Sequence, residues 1–577
     1  MSIATDILPS PDLLAFLLCD WLGVAEGDER DTLLAVLESA QRLAVDAFAS
    51  HYRQSDIDEP ELHADGVHIL PAATEALRRY AELGFFGLSF PDNLGGFGLP
   101  FAAALAVQSS FSAANLATAN YAMLTAANAR LITTFGTPEQ IEQFAVPEIE
   151  GRWFGTMCLS EPQAGSSLGD IRTKAVAEGQ DALGVRYRLS GNKMWISGGD
   201  QDATDNIVHL VLAKIVDDDG RIPDGTKGIS LFVVPKRLPD GEANDIAVAG
   251  LNHKMGNRGT SNCLLNFGER GGAIGWRIGE PGEGLPQMFT MMNEARISVG
   301  MGAAALAYRG YRQSLRYAQE RLQGRRSGEK GGAPVPIIAH PDVRRMLLQQ
   351  RAYAEGALAI CLYCAHLVDQ QTDEAEALLA LLTPVAKSWP SEFGLIANDL
   401  AIQVHGGYGY TRDFDVEQLW RDNRLNPIHE GTTGIQAIDL LGRKLLLSDN
   451  RGLALLRARI SQTIERASAQ AVYGDLAADL DAFWLEVMAT IESLQGRGSG
   501  AFDNATVFLR AFGHGVIAWL WLDQAVAGAR LDASASRVGS AACRYFFESE
   551  LPVARSWLSI VGSSSTLLRS IPEEAFA

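Results

Sequence analysis

Residues 403–445 read QVHGGYGYTRDFDVEQLWRDNRLNPIHEGTTGIQAIDLLGRKL. At their centre Glu430 is followed by Gly431 and two threonines, and then by a helical pattern in which Ile435, Ile438, Leu441 and Leu445 recur at three- and four-residue steps. Thr433 and Gln436 have the spacing of a capping box, which predicts the helix start there. Glu430 is thus predicted on a short turn after Asn426-Pro427, just ahead of a helix N-terminus whose unpaired N–H groups can receive an anion. A glutamate in a turn is ordinarily a solvated surface residue, so its meaning depends on what surrounds it.

Outward from this stretch the chain changes character several times. Residues 1–151 read as helical: DTLLAVLESAQRLAVDAFASHY (31–52) and LPAATEALRRYAELGFF (70–86) carry apolar positions at helical steps. An alanine-rich run, 101–135, predicts closely packed helices or room for a ligand. Thr137-Pro138-Glu139-Gln140 predicts a further helix start. From 152 to 275 strand-like runs take over: VRYRLS, NIVHLVLAKIV, GISLFVVPK and NCLLNF, separated by Gly, Asp, Asn and Pro. Helical periodicity returns over 276–450, broken by RRSGEKGGAPVP (325–336), which predicts an exposed loop. Residues 451–577 are again helical. The expected fold is α+β, mainly helical, with four domains: 1–151, 152–275, 276–450 and 451–577.

A chain of 577 residues is too long for one core, consistent with such a division. The formal charge of −20, from 49 basic and 69 acidic side chains, repels nucleic acid and anionic membrane overall. The last segment holds 11 arginines, 13 acids and no lysine, and so offers no basic stripe for DNA. Six scattered cysteines make no disulfide framework. Cys361 and Cys364 form a CxxC, but within RAYAEGALAICLYCAHLVDQ they read as two buried thiols one helical turn apart, as expected in a reducing cytoplasm. The apolar runs Leu13–Leu18 and Val516–Leu522 are too short for a signal peptide or a bilayer span. A cytoplasmic protein is expected.

Two further stretches complete the pattern. MCLSEPQAGSSLGDI (157–171) is turn-rich, with hydroxyls at Ser160, Ser166 and Ser167. In GNKMWISGGD (191–200), Trp195 and Ser197 stand two apart on a predicted short strand and so share a face. An indole beside a hydroxyl suits a flat heteroaromatic ring and its polar edge. Alone, each stretch reads as a β-turn and a buried tryptophan. Together with 403–445 they resemble the acyl-CoA dehydrogenase family over residues 30–447. SEPQAGS is similar to the family's TEPGAGS, KMWISGG to KxWITNGG, and QVHGGYGY and HEGTTGIQ to QxxGGxGY and YEGTxxIQ. The extra C-terminal segment resembles that of the family's larger members, which act on 3-methylmercaptopropionyl-CoA or on fatty acyl-CoAs.

The resemblance implies FAD as cofactor, bound without a Rossmann fold. Met157, Leu159, Ser160, Gly165 and Ser166 would line the flavin, Trp195 would pack on it, and Ser197 would donate toward N5. Arg321, Gln403, Gly406, Gly407, Thr432 and Gly434 match positions holding the diphosphate and adenosine, partly across a subunit boundary, which implies a homodimer or larger assembly. Glu430 matches the catalytic base that removes the α-proton of an acyl-CoA, giving a trans-2-enoyl-CoA. Ser166, Asn293, Arg296 and Gly431 match the substrate side, with Glu294 beside them. Electrons would pass to an electron-transfer flavoprotein, in fatty acid β-oxidation. Some members carry the base directly before the arginine; that position is Ala295 here, which leaves Glu430. His429 stands in place of the usual tyrosine, and Met157 in place of a frequent aromatic residue. An acyl-CoA oxidase using O2, and a DNA-binding or non-catalytic relative on the same fold, are the alternatives.

Overall fold

The computed structural model describes residues 5–217, 219–326, 328, 331–447, 449–529 and 541–577, with the backbone alone at 5 and 290–292. Residues 327, 329 and 330 of the predicted 325–336 loop, and 530–540 of the C-terminal segment, lie outside the described residues. Contacts divide the chain into two compact units, Val36–Ala295, and Met1–Ala35 with Arg296–Ala577. The order of elements has the expected class: helices, then strands, then helices to the end.

In the unit Val36–Ala295, the alanine-rich run forms one helix, Phe101–Phe135, buried over most of its length, so its small side chains serve close packing. The helix is interrupted at Asn115 (φ −162°, ψ 94°), whose amide donates to Ser55 Oγ at 3.3 Å. Thr137 and Gln140 close the predicted capping box, each side chain bonding the other's N–H. The helical reading of this region fails at Glu61–His63 and Gly66–His68, an antiparallel hairpin. Its three-residue strands are too short to leave a periodicity of their own.

The predicted strand runs appear as Gly184–Ser197, Ile207–Ile215, Ile229–Pro235 and Asn262–Phe267. The two with unbroken apolar sequence, Ile207–Ile215 and Ile229–Pro235, are buried on both faces almost throughout. Ala273–Ile278 pairs with both Ile229–Pro235 and Gly184–Ser197, closing a ring through Ile207–Ile215 and Lys174–Asp181. Gly184–Ser197 outruns that ring. Its residues 186–189 pair with 273–276, while its second half, from Gly191, pairs with Asn262–Phe267.

A buried ion pair ties that second half to the 157–166 turn. The Lys193 side chain has no exposed surface, and its ammonium donates to Glu161 Oε1 and to the Leu159 carbonyl, both at 3.0 Å. Glu161 also accepts from the N–H groups of Arg172 (2.7 Å) and Thr173 (3.0 Å) and from the Thr173 hydroxyl (2.6 Å). Met194 N–H donates to the Ser160 carbonyl at 3.0 Å. Turn and strand are thereby one piece. Burial alone would raise the Glu161 carboxyl, but the Lys193 charge and the converging donors bring it down to about 2.

In the other unit, the helix Gly284–Glu320, from Arg296 onward, packs beside Asp373–His405. At Gly300 a Cβ would stand 2.0 Å from the Ala386 carbonyl, so only glycine allows the approach. Pro390 has no N–H for that carbonyl, the bond four residues back in the helix being lost. Cys361 and Cys364 are buried on Pro341–Gln370, and no metal-binding group of three His, Cys, Asp or Glu occurs among the described residues. The apolar run Val516–Leu522 belongs to a longer helix, Ala505–Gly528, which by length and composition alone could cross a membrane. Of its most apolar window 83% is buried, against neighbours that include Arg451–Ser468, Gly474–Leu494 and Leu551–Gly562. The early apolar run lies in Pro11–Ala15 and Phe16–Trp21, and Trp21 Nε1 donates to Asp523 Oδ2 at 2.8 Å.

Gly300→Ala is expected to lower stability by about 1–3 kcal/mol through overpacking, read as a shift of the urea midpoint. Glu161 supplies a pH-dependent part of stability. Its folded pKa of about 2 lies below the ordinary 4.5, so its contribution is complete above pH 4.5 and is lost as pH falls toward 2. Glu161→Gln should flatten that acid slope and, by leaving the Lys193 ammonium without its counter-charge, cost about 3–5 kcal/mol at neutral pH.

Candidate active site

Glu430 lies on a turn built by its neighbours' amides. Asn426 Nδ2 donates to Asn423 Oδ1 (2.9 Å), Asn423 Nδ2 to Asn398 Oδ1 (2.7 Å), and Asn398 Nδ2 to the Leu306 carbonyl (2.9 Å), a chain that ties the turn to two long helices. His429 Nε2 stands 3.1 Å from Asn426 Oδ1. Burial, with the Lys387 charge, brings His429 down to about 3, so it is a neutral imidazole that donates here. Glu430 and Gly431 then take successive left-handed conformations, φ +51° and +86°. For a non-glycine residue that conformation is strained and needs support from outside.

The support comes from two side chains. Gln436 Nε2 donates to the Glu430 carbonyl (3.1 Å), and Lys387 Nζ donates to the Gly431 carbonyl (2.7 Å). This corrects the predicted capping box. The N-cap is Thr432, whose hydroxyl accepts from Ile435 N–H at 3.3 Å, and Thr433 is already the first residue of the helix Thr433–Ile438. Gln436 is thereby released to reach back to Glu430. The Glu430 N–H finds no acceptor among the described residues.

Two cations stand near the half-buried Glu430 carboxyl. Burial raises it above the ordinary 4.5, and Arg296 and Lys387 oppose that rise. Arg296 is buried, lies 3.7 Å from Asp439 Oδ2 through Nη1, and has no partner for Nε among the described residues. Lys387 escaped the sequence reading. It is fully buried on Asp373–His405, and the only local signal was a lysine in an apolar helix between Pro384 and Pro390.

The remaining predicted residues form two further groups. In the unit Val36–Ala295, Met157, Leu159 and Ser160 are half-buried, and Gly165 and Ser166 exposed, on the turn fixed by Glu161. Trp195 sits in a β-bulge between Lys193 and Ile196, with φ +67°, and is 60% exposed. The strand is long rather than short, and plain two-residue alternation does not run through Trp195. The indole is therefore not the buried core residue that a tryptophan in a strand ordinarily is. Ser197 is half-buried and accepts from Asn262 Nδ2 at 3.2 Å, and Asn293 is half-buried on Gly284–Glu320. In the unit containing Glu430, Arg321, Gln403, Gly406 and Gly407 are exposed, and the Arg321 guanidinium lies 5.9 Å from the Tyr408 ring centroid. Gly406 has φ +61°, and neither it nor Gly407 has an atom within 4 Å of where a Cβ would stand. Thr432 and Gly434 flank the Glu430 turn instead.

Comparison with known proteins matches successive segments of the chain to one family. Four family models match in order: acyl-CoA dehydrogenase N-terminal domain (32–152), middle domain (156–269), C-terminal domain (282–446), and acetyl-CoA dehydrogenase C-terminal like (456–572). The chain is 34% identical to the broad-specificity linear acyl-CoA dehydrogenase FadE5 of Mycobacterium tuberculosis, over 94% of this chain and 92% of that one. It is 35% identical to the 3-methylmercaptopropionyl-CoA dehydrogenase of Ruegeria pomeroyi, over 73% of this chain and 72% of that one. An acyl-CoA dehydrogenase of Bacillus anthracis, solved in complex with FAD, shares the fold with a TM-score of 0.74 at 19% identity, covering 99% of this chain and 92% of its own. With helices, closed sheet and helices in this order, four family models along the chain and a relative 34% identical over 94% of it, the chain belongs to the acyl-CoA dehydrogenase family of oxidoreductases.

Proposed function

We propose that this chain is an FAD-dependent acyl-CoA dehydrogenase that removes hydrogen from the α and β carbons of an acyl-CoA thioester, giving the trans-2-enoyl-CoA, with Glu430 as the α-proton base. The observation that carries the reading is the Glu430 turn. A carboxyl raised by burial sits on a pinned, strained backbone, within the field of two cations. Burial makes the carboxylate more basic, as proton abstraction from carbon requires. The Arg296 and Lys387 charges favour its ionised form against that burial. The unpaired Glu430 N–H is a donor for the thioester carbonyl, where enolate charge develops as the proton leaves. Arg296, with its unpartnered Nε, together with Asn293, Ser166 and Gly431, is assigned to the substrate side.

The residues present suit FAD. An exposed indole held out on a bulge offers a stacking face for a flat ring, with the Ser160 and Ser197 hydroxyls as polar partners, and Met157, Leu159, Gly165 and Ser166 form the adjoining wall. Arg321 and Gln403, with the open backbone of Gly406 and Gly407, suit a diphosphate, and Thr432 and Gly434 complete this set. When bound, FAD supplies the acceptor for the β-hydride. Electron-transfer flavoprotein as the next acceptor, a homodimeric or larger assembly, a cytoplasmic location and the division 1–151, 152–275, 276–450 and 451–577 belong to the same reading. The acyl group is proposed to be either a linear acyl chain or 3-methylmercaptopropionyl, after the two relatives named above.

An anaerobic visible titration of the purified holoprotein with acyl-CoAs of increasing length and with 3-methylmercaptopropionyl-CoA tests this. Some thioester should bleach the flavin, and Glu430→Gln should slow the bleaching by at least about 10²-fold while keeping the flavin bound. A flavin that no thioester reduces overturns the proposal. The rate for wild type should rise with pH as Glu430 ionises, with an apparent pKa above 4.5.

A further inference from the structure

We infer that Lys387 is a positioning residue for this reaction: its ammonium, seated on the Gly431 carbonyl, holds the Glu430–Gly431 turn in place and faces the base carboxylate with a fixed positive charge. The inference rests on the reading of Glu430 as base, and deepens it.

The lysine has no exposed surface. Burying an ammonium costs several kcal/mol unless partners meet it, so a lysine is rarely found there without a specific one. Its described hydrogen bond is the 2.7 Å contact to the Gly431 carbonyl. That carbonyl belongs to the second of two left-handed residues, and a Cβ on Gly431 would meet Gln436 Nε2 at 2.6 Å. The turn is thus gripped from opposite sequence directions, by Gln436 from the helix that follows and by Lys387 from a helix some forty residues earlier. Remove Lys387, and the Gly431 carbonyl loses its donor, leaving Gln436 on the Glu430 carbonyl and the Thr433 N–H on the Pro427 carbonyl (3.1 Å) to oppose relaxation of the strained Glu430 backbone.

The position of the ammonium is itself built in. Pro390 leaves the Ala386 carbonyl without its helical donor, and Gly300 lets that stretch press against the helix bearing Arg296. The groups facing Lys387 are Glu430 and His429 on the turn, Arg296 on Gly284–Glu320 and Glu392 on its own helix. His429 is neutral, Arg296 has Asp439 as a carboxylate neighbour, and Glu392 is bonded by Arg510 at 2.8 Å. Glu430 is the remaining counter-charge. Burial brings Lys387 down to about 8, with Glu430 opposing that fall and Arg296 adding to it. Below that pH the charged ammonium favours the ionised form of Glu430 and holds the Gly431 carbonyl; above it, proton loss removes the fixed charge. The rate should therefore fall on the alkaline side near pH 8.

The experiment compares wild-type holoprotein with Lys387→Met and Lys387→Arg. The readouts are kcat and KM for the best thioester as a function of pH, and amide hydrogen exchange of residues 426–438. Lys387→Met should lower kcat by about 10²-fold, the cost of a small misplacement of a reacting group, with a much smaller change in KM. Its acid-side apparent pKa should rise, its alkaline limb should vanish, and exchange at 426–438 should accelerate. Its melting temperature should hold or rise, because a buried charge has been removed. Lys387→Arg should recover most of kcat while carrying the alkaline limb beyond the measurable range. Unchanged kcat, pH profile and exchange in Lys387→Met overturn the inference. Should Lys387→Met fail to fold, Lys387→Arg decides: an alkaline limb that stays near pH 8 overturns it, and one that moves away supports it. A wild-type protein that oxidises no thioester brings down the reading of Glu430, and the catalytic role of Lys387 falls with it. That result is distinct from an active wild type indifferent to Lys387.

Discussion

The Lys387 ammonium, 2.7 Å from the Gly431 carbonyl and wholly out of solvent, is the contact on which the Glu430 turn depends. Water would solvate this charge better than almost any protein interior, so its burial is offset by the Gly431 carbonyl that accepts from it and by the Glu430 charge that favours its protonated form. The same logic appears in the other unit, where Lys193 is equally buried and binds Glu161 and the Leu159 carbonyl. In each case a cation on a regular element captures a carbonyl on an irregular one. A loop that would otherwise sample many backbone states is thereby restricted to one.

These clamps coincide with backbone strain. Among the described residues five non-glycines have positive φ, and two of them are Trp195 and Glu430, the proposed flavin platform and the proposed base. Each stands beside a clamped carbonyl: Ser160 accepts from Met194, just before Trp195, and Gly431 accepts from Lys387, just after Glu430. Left-handed backbone turns a side chain in a direction that ordinary strand or helix geometry does not offer. It is maintained because the surrounding hydrogen bonds outnumber the ways to relax.

The C-terminal segment extends this support. Ala505–Gly528 packs against Thr433–Ile438, the helix that follows the base, and meets the helix bearing Lys387 two residues further on, where Trp389 Nε1 donates to His514 Nδ1 at 3.0 Å. A Cβ on Gly513 would stand 2.7 Å from the Trp389 ring, so the two helices are in close contact. Tyr353 completes the seam by donating to Glu550 at 2.5 Å. Residues beyond 450 thus buttress both elements that define the Glu430 turn, and their apolar length is spent on that contact.

Local sequence determined a large part of this protein. Strand-like apolar runs marked Ile207–Ile215 and Ile229–Pro235 as strands, Thr137 and Gln140 marked a helix start, and the residues around Glu430 marked a turn before a helix. Each rests on neighbours a few positions apart, which is the range over which periodicity and capping act. The same range misplaced the cap at Thr433, because Gln436 has an alternative acceptor, the Glu430 carbonyl, that spacing cannot rank. The rest was decided only by tertiary structure. Nothing near Lys387 announces a carbonyl forty-four residues away, nothing near Trp195 announces a bulge set by its pairing with Asn262–Phe267, and nothing near Trp21 announces Asp523. Those outcomes depend on which distant groups arrive at hydrogen-bond distance once the chain is compact, and the energy of a buried charge is set by such arrivals rather than by its neighbours in sequence.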